Sequence, residues 1–368
     1  MNLGILVTIV SGFGKKGFYH SQEVGLAKKL SEMGHKVCVY KCVPGDAEFA
    51  EETADGNITV KYIPVKKLGV HGYLPASSLD TSLEGLLIFA DTQLFLPHIF
   101  RFCSKNGIKA VPYIGIAHSF QQTLKSRIMD VLFSMGTLKY YRKMPVLAKT
   151  NAARDELLSL GVKDCTVAPV GLDESELKTD FKETDKEALK KEFGYKKSDV
   201  IILFVARLKP EKRPLDMIDI FAKVREKKAC KLLIVGEGPL REEMDRKAES
   251  LGVMQDYKVI DRIPYENMWQ VYRITDYFVN LRAEEIFGMA VMEAVYYETS
   301  VAAIHAPGPS TILEGMKGHR ICKNDAEVEE WLSAEYPKEA DLKESSEKIL
   351  EGFTWDACAG RFLERVQT

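Results

Sequence analysis

The chain has 368 residues, 46% hydrophobic and 28% charged, with Lys+Arg 51 against Asp+Glu 53. That length exceeds one ordinary core and predicts two domains, and the near balance of charge gives no global attraction to nucleic acid. The seven cysteines form no Cys-x-x-Cys pair and the seven histidines do not cluster with Cys or acids at ligand spacing, so a reducing cytoplasm, no disulfide framework and no metal are expected.

Residues 3–10, LGILVTIV, read as a first buried strand and not as a targeting core, because no basic start and no small-residue cleavage site accompany them. No run of about 18 apolar residues occurs, so no spanning helix is expected. Gly12, Gly14 and Gly17 follow as a Gly-x-Gly-x-x-Gly set. A helix over 19–33, with Val24, Ala27, Leu30 and Met33 on one face, a stop at Gly34 and a strand over 35–40 complete a βαβ unit and predict a parallel sheet. This leaves a dinucleotide reading open, with NAD or FAD as ligand. The acid that such a site needs near the end of the second strand is replaced by Tyr40-Lys41-Cys42. The other reading is a tight turn that lets a ligand approach the sheet edge.

Further strands are predicted over 58–63, 85–90 and 109–116. His118 falls at the carboxyl end of the last, where open α/β sheets bind ligands, or it is a satisfied loop histidine. In the 121–144 stretch, Leu124, Ile128, Val131, Met135 and Leu138 step at helical spacing, and Lys125, Arg127, Lys139, Arg142 and Lys143 face one acid, Asp130. One reading is an interfacial helix that touches anionic lipid or a lipid-linked acceptor. The other is a helix packed on the sheet with a solvated basic face, and Gly136 favours it by interrupting the pattern. A strand over 146–150 precedes a helix over 152–160 for which Asn151 is the expected cap. Pro169 and Gly171 mark the crossing between halves.

The second half opens with a charged helical region over 175–197 that ends at Gly194, then a β-prone run over 199–205. Arg207 and Lys212 lie in the next loop, before a helix that starts near Pro214. Such a basic pair suits a diphosphate, or it pairs with Glu211 and Asp216. A strand over 231–235 leads to Gly236 and Gly238, which could admit a flat base against the backbone. A strand over 257–263 ends at Ile263, and Pro264 begins another helix. Residues 277–281 read as a strand, 282–286 as a loop, and Gly288 as a helix start whose free amides attract an anion. Glu285 and Glu293, eight residues apart, flank that cradle and can grip hydroxyls, or they belong to a solvated helix face. A strand over 300–304, a Pro/Gly loop over 307–310 and a charged helical tail anchored by Phe353-Thr354-Trp355 finish the chain. Two βα-alternating halves predict a ligand cleft between them.

In that order, FVARLKPEKRP, LLIVGEGPLREEM and EIFGMAVMEA resemble the retaining glycosyltransferases of the GT4 family, and APVGLDESEL resembles their crossing segment. The resemblance implies an α/β GT-B fold of two facing Rossmann-like domains: 1–168 for the acceptor, 169–350 for the nucleotide sugar, and a terminal helix over 351–368 packing back on the first. It implies transfer of a hexose from a nucleoside-diphosphate sugar to a glycan or lipid-linked acceptor, in cell-surface polysaccharide or glycolipid synthesis. Arg207 and Lys212 match the basic pair on the donor diphosphate. Glu285 matches the first carboxylate, near the sugar, and Glu293 the second, on the ribose. Phe287, Gly288 and Met289 match the cradle, and Gly236 and Ile263 fall on the nucleotide side. His118 matches the histidine near the reacting sugar, and Gly12 and Gly14 the loop toward phosphate or acceptor. Net retention, no metal and no other cofactor are implied. A cytoplasmic chain follows, with peripheral contact at the inner membrane face through 121–144.

Ile286 replaces the usual Gly after the first Glu, Leu281-Arg282 the usual Pro-Ser, Pro307-Gly308 a double Gly, Thr311 an acid and Val170 an Asn. These departures bear on the donor sugar, leave Glu284 as the alternative to Glu285, and motivate a non-catalytic binding homologue as a second reading. An NAD(P)-dependent oxidoreductase is the third.

Overall fold

A computed structural model describes residues 1–10, 21–54, 56–119 and 123–367. The chain divides into two compact units, one of residues 1–14, 20–171 and 353–368, the other mainly of residues 172–352.

Among the described residues, the first unit holds a nine-stranded sheet. Its strands are β1 (Asn2–Val7), β2 (Lys36–Pro44), β3 (Ala50–Ala54), β4 (Ile58–Leu68), β5 (His71–Tyr73), β6 (Gly85–Phe89), β7 (Lys109–Ile114), β8 (Val146–Ala148) and β9 (Cys165–Val167). The order is β3-β4-β2-β1-β6-β7-β8-β9, with β5 paired to β4. β1 lies parallel to both β2 and β6, so the winding direction reverses beside it. β3 and β5 are antiparallel additions to β4, and β4 runs five residues past the expected end at 63. β6, GLLIF, is buried at every position, as a central parallel strand covered on both faces should be.

The helix after β1 is described over Gln22–Glu32. Its buried face is Leu26, Ala27 and Leu30, whereas Met33, expected on that face, is 39% exposed. The terminal helix Trp355–Gln367 belongs to this unit. Trp355 is buried at its start, and Asp356 meets Lys29 of the first helix at 3.1 Å.

The second unit holds β10 (Ile201–Val205), β11 (Lys231–Val235), β12 (Tyr257–Ile260), β13 (Tyr277–Asn280), β14 (Ser300–Ile304) and β15 (Arg320–Cys322). The order β12-β11-β10-β13-β14-β15 is parallel throughout and reverses between β10 and β13. Ile202, Phe204, Leu232, Ile234 and Val279 from these strands form its core with Met217, Phe221 and Met244 of the covering helices. The expected loop at 307–310 is the start of a helix, Pro307–Ile312. A proline at the first helical position loses no hydrogen bond, so that signal for irregular structure also fits a helix start.

Candidate functional site

In the second unit, the loops that leave β10 and β13 emerge on either side of the reversal point, where a parallel sheet leaves a crevice at its carboxyl edge. Topology thereby joins residues far apart in sequence. Lys212 Nζ donates to Glu285 Oε2 at 2.8 Å. Arg282 lies 3.7 Å from the other carboxylate oxygen, and the Glu285 side chain is only 13% exposed. Glu284, half-buried beside it, has no ion pair among the described residues, so Glu285 is the carboxylate that meets the lysine.

Lys212 ends a short 3-10 turn, Pro210–Lys212, and Arg213 follows in the left-handed region at φ 59°. Arg213 donates to Asp216 and Asp325, each at 2.6 Å, and fixes the start of helix Pro214–Lys227. The partnership with Asp216 expected for Arg207 and Lys212 thus belongs to Arg213. The Arg207 side chain is exposed and has no partner among the described residues.

Gly236 has a packing reason. A Cβ there would stand 1.8 Å from the Ala206 carbonyl oxygen, so only glycine lets the loop after β11 touch the loop after β10. Leu208 N donates to Glu237 O at 2.9 Å and completes that contact. Ile263 is half-buried beyond β12, next to Arg262, which pairs with Glu237.

Gly288 stands at φ 93° before helix Met289–Tyr296, and no side chain caps that end. The first amides of such a helix lack intrahelical acceptors and carry the positive end of its dipole. The loop is braced from behind: Gly308 N donates to Glu285 O at 3.1 Å. A Cβ on Gly308 would fall 1.9 Å from Phe287 O. Phe287 is buried, and Met289 and Ile286 are half-buried.

Glu293 is buried too, against the reading of a solvated helix face. Tyr272 donates its hydroxyl to Glu293 Oε2 at 2.7 Å. The carboxylate lines a pocket with Glu176, Tyr265, Trp269, Tyr272 and Tyr297. Burial, and then the Glu293 charge, push the Tyr265 and Tyr272 phenols well up, so both remain donors.

In the first unit, His118 Nδ1 meets Glu156 Oε1 at 2.5 Å, and the other oxygen accepts from Ala117 N at 3.3 Å. Donation of an Nδ1–H to the carboxylate fixes the orientation of the ring and leaves Nε2 on its other side. Glu156 rides on helix Asn151–Ser159, capped by Thr150, whose hydroxyl accepts from Ala153 N at 3.1 Å. Thr150, and not Asn151, is therefore the cap residue. Asp91, at φ 38°, accepts from Gly115 N at 2.6 Å and steadies the turn ahead of His118. Lys41, where a dinucleotide site needs an acid, is tied to Glu23 at 2.5 Å. Gly12, Gly14 and Gly17 lie outside the described residues.

Glu156, Arg213 and Tyr272 escape sequence reasoning. Glu156 sits beside Arg154 and Asp155 on a charged helix, and its meaning comes only from His118, 38 residues away. Among the described residues, no group of three or more His, Cys, Asp or Glu is placed to hold a metal. No helix among them is long and apolar enough to cross a membrane.

Residues 185–348 match the model of the glycosyl transferases group 1 family. This stretch is similar to that family, and the match covers less than half of the chain. The matched region contains Arg207, Lys212, Gly236, Ile263, Glu285, Phe287, Gly288, Met289 and Glu293, whereas His118 and Glu156 precede it. Over 195 residues the chain is 27% identical to the D-inositol 3-phosphate glycosyltransferase of Mycobacteroides abscessus, covering 50% of this chain and 42% of that protein. Over 291 residues it is 23% identical to the alpha-monoglucosyldiacylglycerol synthase of Acholeplasma laidlawii, covering 74% and 73%. Across the first-ranked curated relatives, the match spans 36% to 42% of their own length. The structure of HepE from Anabaena in complex with UDP matches at a TM-score of 0.73 and 13% identity, covering 100% of both chains. The fold is thus GT-B, built of two Rossmann-like domains.

Proposed function

We propose that the chain is a retaining hexosyltransferase that moves a sugar from a nucleoside-diphosphate donor to a hydroxyl of a glycan or lipid-linked acceptor. The observation that carries this reading is the Lys212–Glu285 pair at the reversal point of the second sheet, beside the uncapped helix start at Gly288. The name of the Acholeplasma relative, a glycolipid synthase, supports a lipid acceptor, and the UDP bound by HepE supports the donor class.

An ammonium has three N–H donors, so Lys212 holds Glu285 with one and has two for phosphate oxygens. Arg207 adds an exposed fork suited to a phosphate, and the amides after Gly288 add a fixed positive dipole. As the bond from the anomeric carbon to the diphosphate oxygen breaks, negative charge grows on the leaving group beside these donors. The acceptor hydroxyl attacks from the same face, and its proton passes to the departing phosphate. Glu285 steadies the cationic sugar, Glu293 takes the ribose hydroxyls, and His118 is oriented by Glu156 for the same reaction. Gly236 and Ile263 border the nucleotide in this reading. The role needs no metal, because side chains and backbone amides meet the charge. The setting is cytoplasmic synthesis of a cell-surface polysaccharide or glycolipid.

A thermal-shift screen with UDP, GDP and ADP sugars tests the donor site without an acceptor. One nucleotide class raises the melting temperature, and Arg207→Ala weakens that response. Silence toward all of them, with folded protein, removes the reading. Binding without transfer to any acceptor moves it to a non-catalytic binding subunit.

A further inference from the structure

The helix Leu124–Met135 turns its apolar side outward. Leu124 is 78% exposed, Ile128 52%, Val131 56% and Met135 72%, and Phe133 is the helix's one buried residue. The expected packing of this face on the sheet is therefore overturned. Leu138 alone of that series is buried, because Gly136 ends the helix and a new turn, Leu138–Tyr141, begins. A twelve-residue helix with so little burial is marginal by itself. Here Thr123 and Ser126 form a reciprocal capping box that holds its start.

A second element shares that edge of the first unit. β4 overruns the sheet and turns back into β5, exposing Leu68, Val70 and Tyr73 beside Lys66 and Lys67. β4 and β7 run in the same direction within the sheet, so the hairpin and the 124–135 helix both leave its carboxyl edge. The segment after β6 lies between them: Tyr73 stacks on His98 of the helix Pro97–Asn106 at 4.7 Å, and Thr137, two residues past the 124–135 helix, donates to Gln93 O of the preceding loop at 2.8 Å.

The exposed charge of the hairpin and the helix is basic, while Asp46 and Glu48 lie exposed on the loop after β2 at the same edge. Lys66, Lys67, Lys125 and Arg127 are exposed and have no ion pair among the described residues. The one acid of the helix, Asp130, is turned to Ser119, whose amide and hydroxyl it accepts at 3.1 and 2.7 Å.

We propose that this edge of the first unit docks on an anionic lipid bilayer. Exposed aliphatic side chains on a capped helix, ringed by unpaired bases, suit the boundary between headgroups and acyl chains. The bases supply attraction to anionic headgroups and the Leu, Ile, Val and Met side chains supply insertion. The docking surface and the donor site lie in different units and are tested separately.

The experiment is cosedimentation of the full chain with vesicles of phosphatidylcholine alone or of an equal mixture with phosphatidylglycerol. The wild type pellets with the mixture and stays in solution with phosphatidylcholine. Leu124→Ser/Ile128→Ser/Met135→Ser, Lys125→Glu/Arg127→Glu and Leu68→Ser/Val70→Ser each lower the bound fraction roughly tenfold, and added salt lowers it for the wild type. All these positions are exposed, so unchanged melting temperatures and nucleotide responses confirm folded variants. No pelleting with the anionic mixture, or equal pelleting by all variants, overturns the proposal. So does a concentration-dependent dimer that Ile128→Ser abolishes without any vesicle binding, because a second copy then covers the face. Vesicle binding without a nucleotide response leaves the surface standing and removes the transferase reading; the reverse outcome removes only the surface.

Discussion

In the second unit, the loops that leave β10 and β13 turn their charges on one another: Lys212 holds Glu285, and Arg213 holds Asp216 and Asp325. In the first unit, elements at the same edge of a sheet wound the same way turn Leu124, Ile128 and Met135 outward beside Lys125 and Arg127. One topology therefore carries two kinds of edge. Paired charges with spare donors suit a small polyanion, whereas unpaired bases around an apolar face suit a charged surface. Strand order fixes where an edge lies; the side chains on its loops fix what the edge can meet.

The largest expected effect breaks the polar edge. Lys212→Met keeps the length of the side chain but removes every donor, and the cost in kcat is about 10²–10³-fold if the lysine meets leaving-group charge. It also leaves Glu285 without its 2.8 Å partner, so Glu285→Gln in the same background should restore nucleotide affinity more than turnover. Steady-state kinetics beside calorimetry on the double variant separate the two. Unchanged kcat for Lys212→Met removes the lysine from the chemistry.

Next comes the polar pair of the first unit. Glu156→Gln keeps the shape but weakens the hold on His118 Nδ1, and should lower kcat by about tenfold with little change in donor affinity, less than the loss from His118→Ala. Equal and full activity in both variants makes His118 a satisfied loop histidine.

A third test concerns acid stability, where the second unit should be the weaker. Val301 N donates to His319 Nδ1 at 3.1 Å, and burial pushes the imidazole down to about 3. The unfolded chain takes up a proton near the ordinary 6.5, while the folded chain stays neutral. Stability from this residue is therefore intact above about pH 6.5 and falls as the pH drops toward 3, by about 1–2 kcal/mol at pH 5. His319→Asn should flatten that part of the unfolding profile in urea; an unchanged slope shows that the ring accepts the proton while folded.

Much of this architecture is legible in the sequence because parallel strands declare themselves by runs such as residues 201–205 and 231–235, and glycines punctuate their ends. The edge strands β3 and β5 are not: Ala50–Ala54 reads AEETA, and its strand character comes from pairing with β4. The helix at Pro307 hid behind residues that also make loops. At the site, residue types and order were legible, but the 2.8 Å contact of Lys212 with Glu285 depends on strand order, which no local pattern encodes. The 121–144 stretch shows the same limit from another side. Its period announces one apolar face, and only the fold shows that nothing in the described chain covers it.

The smallest effect separates the two carboxylates of the second unit. Glu285 answers a cation, and that bond can be shared with an arriving phosphate. Glu293 answers the hydroxyl of Tyr272 inside a wall of aromatic rings. Glu293→Gln replaces one acceptor oxygen by an amide that can rotate to keep the phenol bonded, so the cost to stability is about 1 kcal/mol. Its effect on function falls on binding: a ribose hydroxyl that donates to the carboxylate loses a charged acceptor, so nucleotide affinity drops while kcat at saturation holds. Glu285→Gln should do the opposite, lowering kcat more than affinity. Titration calorimetry and saturating kinetics on both variants read the two quantities independently. If both variants lose affinity and turnover in the same ratio, the carboxylates act as one structural unit, and the division of labour between sugar and ribose fails.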